Sequence, residues 1–184
     1  MGDVGELAGL LERIDVSATS PDGAIRATVS GRLRLTLDIR SRDYTSCSET
    51  DLAHRIERLA TTLWIRYHRE YAEVEEAFLG PPGADPTPED RRFGQEAADL
   101  TVTATSPGGW VTVTSRALAT WTVRLEPGIQ RELSVDRFAA EAIAAATGAI
   151  GAYRAGRMRL LDRYYDLSNG LPPWRRADSP REPW

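Results

Sequence analysis

Lysine is missing altogether: all 23 basic residues of this 184-residue chain are arginine. That excludes a phosphate loop of the Gly-Lys-Ser/Thr type, whose lysine must reach the phosphates. A genome rich in G and C accounts for the arginine bias. Cysteine occurs once, at Cys47, so neither an internal disulfide nor a cysteine-based zinc site can form. Its plain reading is a small residue ahead of a helix. His54 and His68 are the only histidines, 14 positions apart on one predicted helix. At 1.5 Å per residue they stand about 21 Å apart, too far to share a metal. No apolar run approaches the ~20 residues needed to span a bilayer, and the start, Met1-Gly2-Asp3-Val4-Gly5-Glu6, lacks the apolar stretch of a signal peptide. The expected location is the cytoplasm, with no membrane partner. Neither a nucleophile elbow nor a dinucleotide fingerprint is present. The sequence reads as non-enzymatic, with no catalytic residue, metal or cofactor expected.

What the chain does have is a repeat. Ala18-Thr19-Ser20-Pro21-Asp22-Gly23 returns 86 positions later as Ala104-Thr105-Ser106-Pro107-Gly108-Gly109. At that offset, without a gap, Val16, Thr28, Thr36, Ser48, Ala53, Ala60, Thr61 and Tyr67 fall on Val102, Thr114, Thr122, Ser134, Ala139, Ala146, Thr147 and Tyr153. A repeat of this length copies a whole domain rather than a solenoid unit. Each half has roughly 80 residues, a size at which a lone core is marginal. Two such copies in one chain suggest a covalent form of something ordinarily dimeric.

The first copy reads α-β-β-β-α. Leu7, Leu10, Leu11 and Ile14 give a short amphipathic opening helix, and a strand over 16–20 ends in the Ser20-Pro21-Asp22-Gly23 turn. Ile25, Ala27 and Val29 alternate with polar residues up to Gly31. Leu33, Leu35, Leu37 and Ile39 do the same against Arg32, Arg34, Thr36 and Asp38. Period two marks strands with one buried face. Ser48, with Asp51 three residues on, caps a long helix whose stripe runs through Leu52, Ile56, Leu59, Leu63, Tyr67, Tyr71, Val74 and Phe78. The predicted divisions are module 1 over 1–79, a Pro/Gly linker over 80–90, module 2 over 91–168, and a disordered Pro/Arg/Trp tail over 169–184. Within module 2 the reading is a remnant helix over 93–98, strands over 101–105, 110–115 and 118–125, and a helix from its Ser134 cap towards Leu167.

One difference between the copies bears on how they meet. Ile56, Leu59 and Leu63 correspond to Ala142, Ala145 and Ala149, and the second long helix also carries Gly148, Gly151 and Gly156. Each glycine costs up to ~1 kcal/mol of helix propensity. Such a cost is expected where another element packs very close. Large side chains facing small ones predict an interlocked pseudo-dimer, with these six residues as inter-module packing.

Each copy resembles a YbaB/EbfC-type domain. The likeness lies in the order short helix, three-stranded meander, long helix, and in the Ala-Thr-Ser-Pro-x-Gly first hairpin. The Thr28-Val29-Ser30-Gly31-Arg32-Leu33 second turn and the Ser48-Glu49-x-x-Leu52-Ala53 helix start complete it. It covers about 4–78 and 91–167. The resemblance implies a small nucleoid-associated protein that dimerises and binds duplex DNA with little sequence preference, placed at the nucleoid. Actinobacterial relatives also occur among proteins associated with type VII secretion. Family members are usually single domains that dimerise between chains, whereas this chain carries both copies. Copy two has Ala117 where copy one has Gly31. The family offers no catalytic residues.

The expected fold is therefore α+β, two YbaB-like modules forming an intramolecular pseudo-dimer, with further self-association open to it. For duplex DNA the candidate residues are Arg26, Arg32, Arg34, Arg40 and Arg42 on and beyond the strands. Arg55, Arg58, Arg66 and Arg69 on the first long helix join them. Against this, the net charge is −4, which disfavours strong non-specific affinity, and Glu57, Glu70, Glu73, Glu75 and Glu76 share that helix. The alternative is a protein-binding adaptor or chaperone-like factor associated with type VII secretion. It would anchor through Trp110, read as exposed beside a turn, and through Trp174 and Trp184 in the tail. Tyr71-Ala72-Glu73-Val74-Glu75 also fits a Tyr-x-x-x-Asp/Glu pattern resembling type VII export signals.

Overall fold

The computed structural model describes residues 9–31, 33–79 and 86–165. After helical residues 9–12, the strands β1 (Asp15–Thr19), β2 (Ile25–Ser30) and β3 (Arg34–Ile39) lead to the short α1 (Ser41–Ser46) and the long α2 (Glu49–Leu79). Helix α3 (Pro88–Asp99) opens the second half. It is followed by β4 (Thr101–Thr105), β5 (Val111–Arg116), β6 (Thr120–Leu125), α4 (Ile129–Glu132) and α5 (Val135–Tyr165). The fold is α+β, with two three-stranded antiparallel sheets ordered β1-β2-β3 and β4-β5-β6. All three strands and the long helix of the second half stand 86 positions after those of the first.

Alternation builds each sheet. Val16, Val29 and Leu35 share one row and point inward; in the second sheet Val102, Ser115 and Trp121 hold the equivalent row. The first hairpin closes identically in both copies. Buried Ser20 accepts the Ile25 N–H on its Oγ at 2.9 Å, and Ser106 accepts that of Val111 at 3.1 Å. Ser48 Oγ accepts the Asp51 N–H at 3.1 Å, the helix cap its spacing predicts, and Ser134 does the same for Arg137 at 3.4 Å.

The halves share one hydrophobic core. Helix α2 lies against β1 and β2 of its own half and against β6 of the other, while α5 lies against β4, β5 and β3. Since β3 and β6 each end a sheet, the long helix of the opposite half covers an edge that would otherwise offer bare backbone groups. Glu57 Oε1 on α2 accepts the Val123 N–H of β6 at 2.8 Å, and Glu49 Oε1 accepts that of Gly128 at 2.7 Å. In return Tyr44, almost fully buried on α1, donates its hydroxyl to the Leu133 carbonyl at 3.2 Å and stacks a tilted ring on Phe138. Gln130 Nε2 donates to the carbonyls of Cys47, at 3.0 Å, and of Tyr44.

Two expectations are corrected. Leu59, Leu63, Ala142, Ala145 and Ala149 are buried and Ile56 is half-buried, but the interlock runs from helix to sheet, because each long helix is held by strands rather than by the other long helix. Two of the three α5 glycines answer to close packing within the second half itself. A Cβ on Gly148 would lie 3.0 Å from the Ala104 Cβ, and one on Gly156 only 2.7 Å from Leu100 Cδ2, whereas Gly151 faces open space. Second, α3 is a full helix rather than a remnant over 93–98. A Thr87–Asp90 capping box with Pro88 in its first turn starts it, so the last three positions of the expected linker are helical. The β5–β6 turn forms without glycine, with Ala117 at φ 53° and Leu118 at φ 57°. Residues 80–85 and the tail 169–184 lie outside the described residues.

Candidate functional site

The outward face of the first sheet carries the strand arginines. Arg26 lies on β2, opposite Asp38, and Arg34 on β3, opposite Ser30. Ser17, Thr19, Thr28 and Thr36 fill the rows around them, while Asp15 stands at one end. Arg40 and Arg42 follow where the chain leaves β3. All four arginines are exposed, and among the described residues none of them is in an ion pair. Arg26 and Arg40 converge on a cleft of about 290 Å³ beside the first turn of α5, which Asp38 and Asp136 also line. Arg32 lies outside the described residues.

The helix arginines divide differently. Arg55 is half-buried and bound to Asp22; Arg66 donates to the Ser17 carbonyl; Arg69 makes an exposed i,i+4 pair with Glu73 at 3.5 Å. Arg58 and Arg66 are both exposed and without an ion pair among the described residues, and of the two only Arg66 is tied down, by that hydrogen bond. Asp22 also accepts the Ser20 hydroxyl at 2.6 Å and the Ala24 N–H at 3.1 Å. The Ser20 hydrogen bond first, the Ala24 N–H next, and then the Arg55 charge hold its carboxyl below the usual carboxylate range.

The second sheet shows an outward face the sequence reading passed over. Thr101, Thr103, Thr105, Thr112, Thr114, Thr120 and Thr122 cover it, with Thr103 bonded to Thr114 at 2.9 Å and Thr105 to Thr112 at 3.1 Å. Its two arginines are occupied, Arg116 by Asp99 and Arg124 by Glu126 at 3.1 Å. The Thr-x-Thr alternation was the available signal.

The tryptophans also depart from expectation. Trp110 is half-buried, packed on the core beside Gly108, so it is not an exposed anchor. Trp121 is buried, as its inward register requires, and donates its indole N–H to the Leu118 carbonyl at 2.7 Å. Trp174 and Trp184 lie outside the described residues. Instead, Trp64 stacks on Tyr67 with ring centroids 6.0 Å apart, and Tyr71 continues the row at 6.3 Å from Tyr67. These rings border a groove of about 840 Å³ between α2, α3, α5 and the β5–β6 turn. Tyr153, the repeat equivalent of Tyr67, lines it too. That equivalence was legible in the repeat, but a helical aromatic stripe reads first as core.

His54 and His68 are both exposed, and among the described residues no cluster of histidine, cysteine and carboxylate groups could hold a metal. No described helix is long and apolar enough to cross a membrane. No family model matches this chain, and neither a curated protein nor a solved structure matches it.

Proposed function

We propose that this chain is a non-enzymatic, nucleoid-associated-type protein that binds duplex DNA with little sequence preference. In this reading its two halves are YbaB-like modules forming a pseudo-dimer within one chain, each long helix covering the other module's sheet edge. The observation that carries the DNA assignment is the grouping of Arg26, Arg34, Arg40 and Arg42. They are exposed and free of ion pairs among the described residues, beside strand hydroxyls that can also donate to phosphate oxygens. A local face of this kind lets an acidic chain meet a polyanion, since phosphate contact depends on the charges within a Debye length. Arg55, Arg66 and Arg69 are already engaged within the protein and have a smaller part. The adaptor reading stands second because Trp110, its folded anchor, is half-buried.

The test is fluorescence anisotropy of a labelled duplex of about 30 base pairs at about 50 and 200 mM salt, the range over which phosphate contacts weaken binding steeply. Binding by the wild type should fall at least tenfold between the two salts. Replacing Arg26, Arg34 and Arg40 with Gln should weaken low-salt binding by tenfold or more and flatten the salt slope by about one unit per lost contact. Arg69→Gln should change little. Absence of binding into the high micromolar range at low salt would end the proposal.

A further inference from the structure

The groove at the junction of the halves has a different chemistry from the arginine-bearing sheet. Its volume, about 840 Å³, lies within the range of about 300–1,000 Å³ typical of small-molecule sites. Trp64, Tyr67, Tyr71, Phe93 and Tyr153 supply flat faces to its walls, beside the aliphatic Leu33, Ile65 and Leu118 and several alanines. Such rings favour stacking on a flat guest over enclosing a flexible chain. The charge in the groove has one sign. Arg69, Arg154 and Arg157 line it together with His68, and no carboxylate does. Arg154 and Arg157 have no ion-pair partner among the described residues; Arg157 instead holds its guanidinium 5.8 Å from the Phe93 ring centre. Exposed Arg154 lines the same groove as Tyr67; burial pushes the Tyr67 hydroxyl up, and the Arg154 charge opposes that shift. Cations beside low-dielectric walls focus a field that attracts an anion.

We propose that this groove binds a small aromatic anion: a flat ring system lying between Trp64 and Phe93, with a carboxylate, sulfonate or phosphate group held by Arg154 and Arg157. The site is built from both halves, because α2 provides one wall and α3, α5 and the β5–β6 turn the other. It is independent of the DNA assignment, whose arginines lie on the first sheet and just beyond it.

The experiment is a titration of the whole chain with 1-anilinonaphthalene-8-sulfonate, followed by dye emission. The uncharged N-phenyl-1-naphthylamine serves as the matched probe. The expected result is saturable binding of one sulfonate dye per chain, displaced by naphthalene-1-sulfonate. Arg154→Gln with Arg157→Gln should weaken it about tenfold or more, the scale of a lost charge-assisted contact, without moving the thermal unfolding midpoint. Arg154→Lys with Arg157→Lys should retain most of the affinity, which a merely structural role would not require. Equal binding of the uncharged probe, or sulfonate binding unchanged in the Gln variant, would overturn the anion assignment. Failure to saturate at one site would overturn the groove itself. Stoichiometric displacement of the dye by duplex DNA would also count against it, since the groove would then belong to the DNA surface.

Discussion

One position in the first hairpin shows how the two copies reach the same shape with opposite charges. Asp22 in copy one corresponds to Gly108 in copy two, and Arg55 on α2 corresponds to Glu141 on α5. Asp22 satisfies its own turn by accepting from Ser20 and Ala24, and its remaining charge draws Arg55 down from the helix. Gly108 has no side chain, so the carboxylate comes from the helix instead, and Glu141 Oε2 accepts the Gly108 N–H at 3.0 Å. The two pairs are a joint exchange, and either single change would leave like charges or a bare donor. A prediction about acid stability belongs here. The Asp22 carboxyl titrates lower in the folded protein than its ordinary value. Its contribution is therefore complete above about pH 4, the unfolded value, and disappears as pH falls through the folded one. Asp22→Asn keeps an acceptor for Ser20 and Ala24 but removes the charge. Urea unfolding should find the variant less stable at pH 6, with the gap to wild type closing as the pH drops towards 3. A gap that stayed constant would mean that Asp22 acts through shape rather than charge.

The elements show where sequence periodicity suffices and where it fails. Strands β1 to β6 and the long helices α2 and α5 were legible because many side chains repeat at period 2 or 3.6, so a single misfit does not hide the pattern. The short α1 and α4 were missed: in six and four residues only Tyr44 and Ile129 are buried, and one buried residue defines no period. Helix α3 was shortened because the Pro/Gly run before it dominated, although Thr87-x-x-Asp90 was a readable cap. For the candidate site, alternation placed Arg26 and Arg34 outward, but the Arg55 pairing was hidden, since its partner lies 33 positions away. The β5–β6 turn exposes a further limit. Copy one opens its turn with Gly31 at φ 54°, while copy two puts Ala117 at φ 53° and then Leu118 at φ 57°. A left-handed residue with a Cβ costs roughly 1–2 kcal/mol. The turn is held by the burial of Leu118, only 1% exposed, and by its carbonyl accepting from Trp121. Ala117→Gly should therefore stabilise the protein by about 0.5–1 kcal/mol, after the added entropy of the unfolded chain is set against the relieved strain. A lower urea midpoint in the variant would show that the Ala117 methyl packs more than it strains.

At the scale of the whole molecule, the exchange of edge coverage makes each half a condition for the other. With α2 removed, β6 would present the Val123 N–H without its Glu57 acceptor; with α5 removed, β3 would lose its cover. The single core crosses the same boundary, and Ile129, fully buried, lies beneath the Tyr44 hydroxyl of the first half. Unfolding should then be one cooperative event rather than two, as expected when no part retains a core of its own. Ile129→Ala tests this because the substituted residue belongs to the second half, and the cavity it leaves costs about 2–5 kcal/mol. Hydrogen exchange read peptide by peptide should show protection in β1–β3 falling by the same free energy as protection in β4–β6, although the substitution lies some ninety positions from the nearest of the first-half strands. Loss confined to β4–β6 would mean that the first sheet and α2 persist without their partner. The halves would then be two small domains in contact, and the closing of one sheet edge by the other half's helix would be incidental to stability.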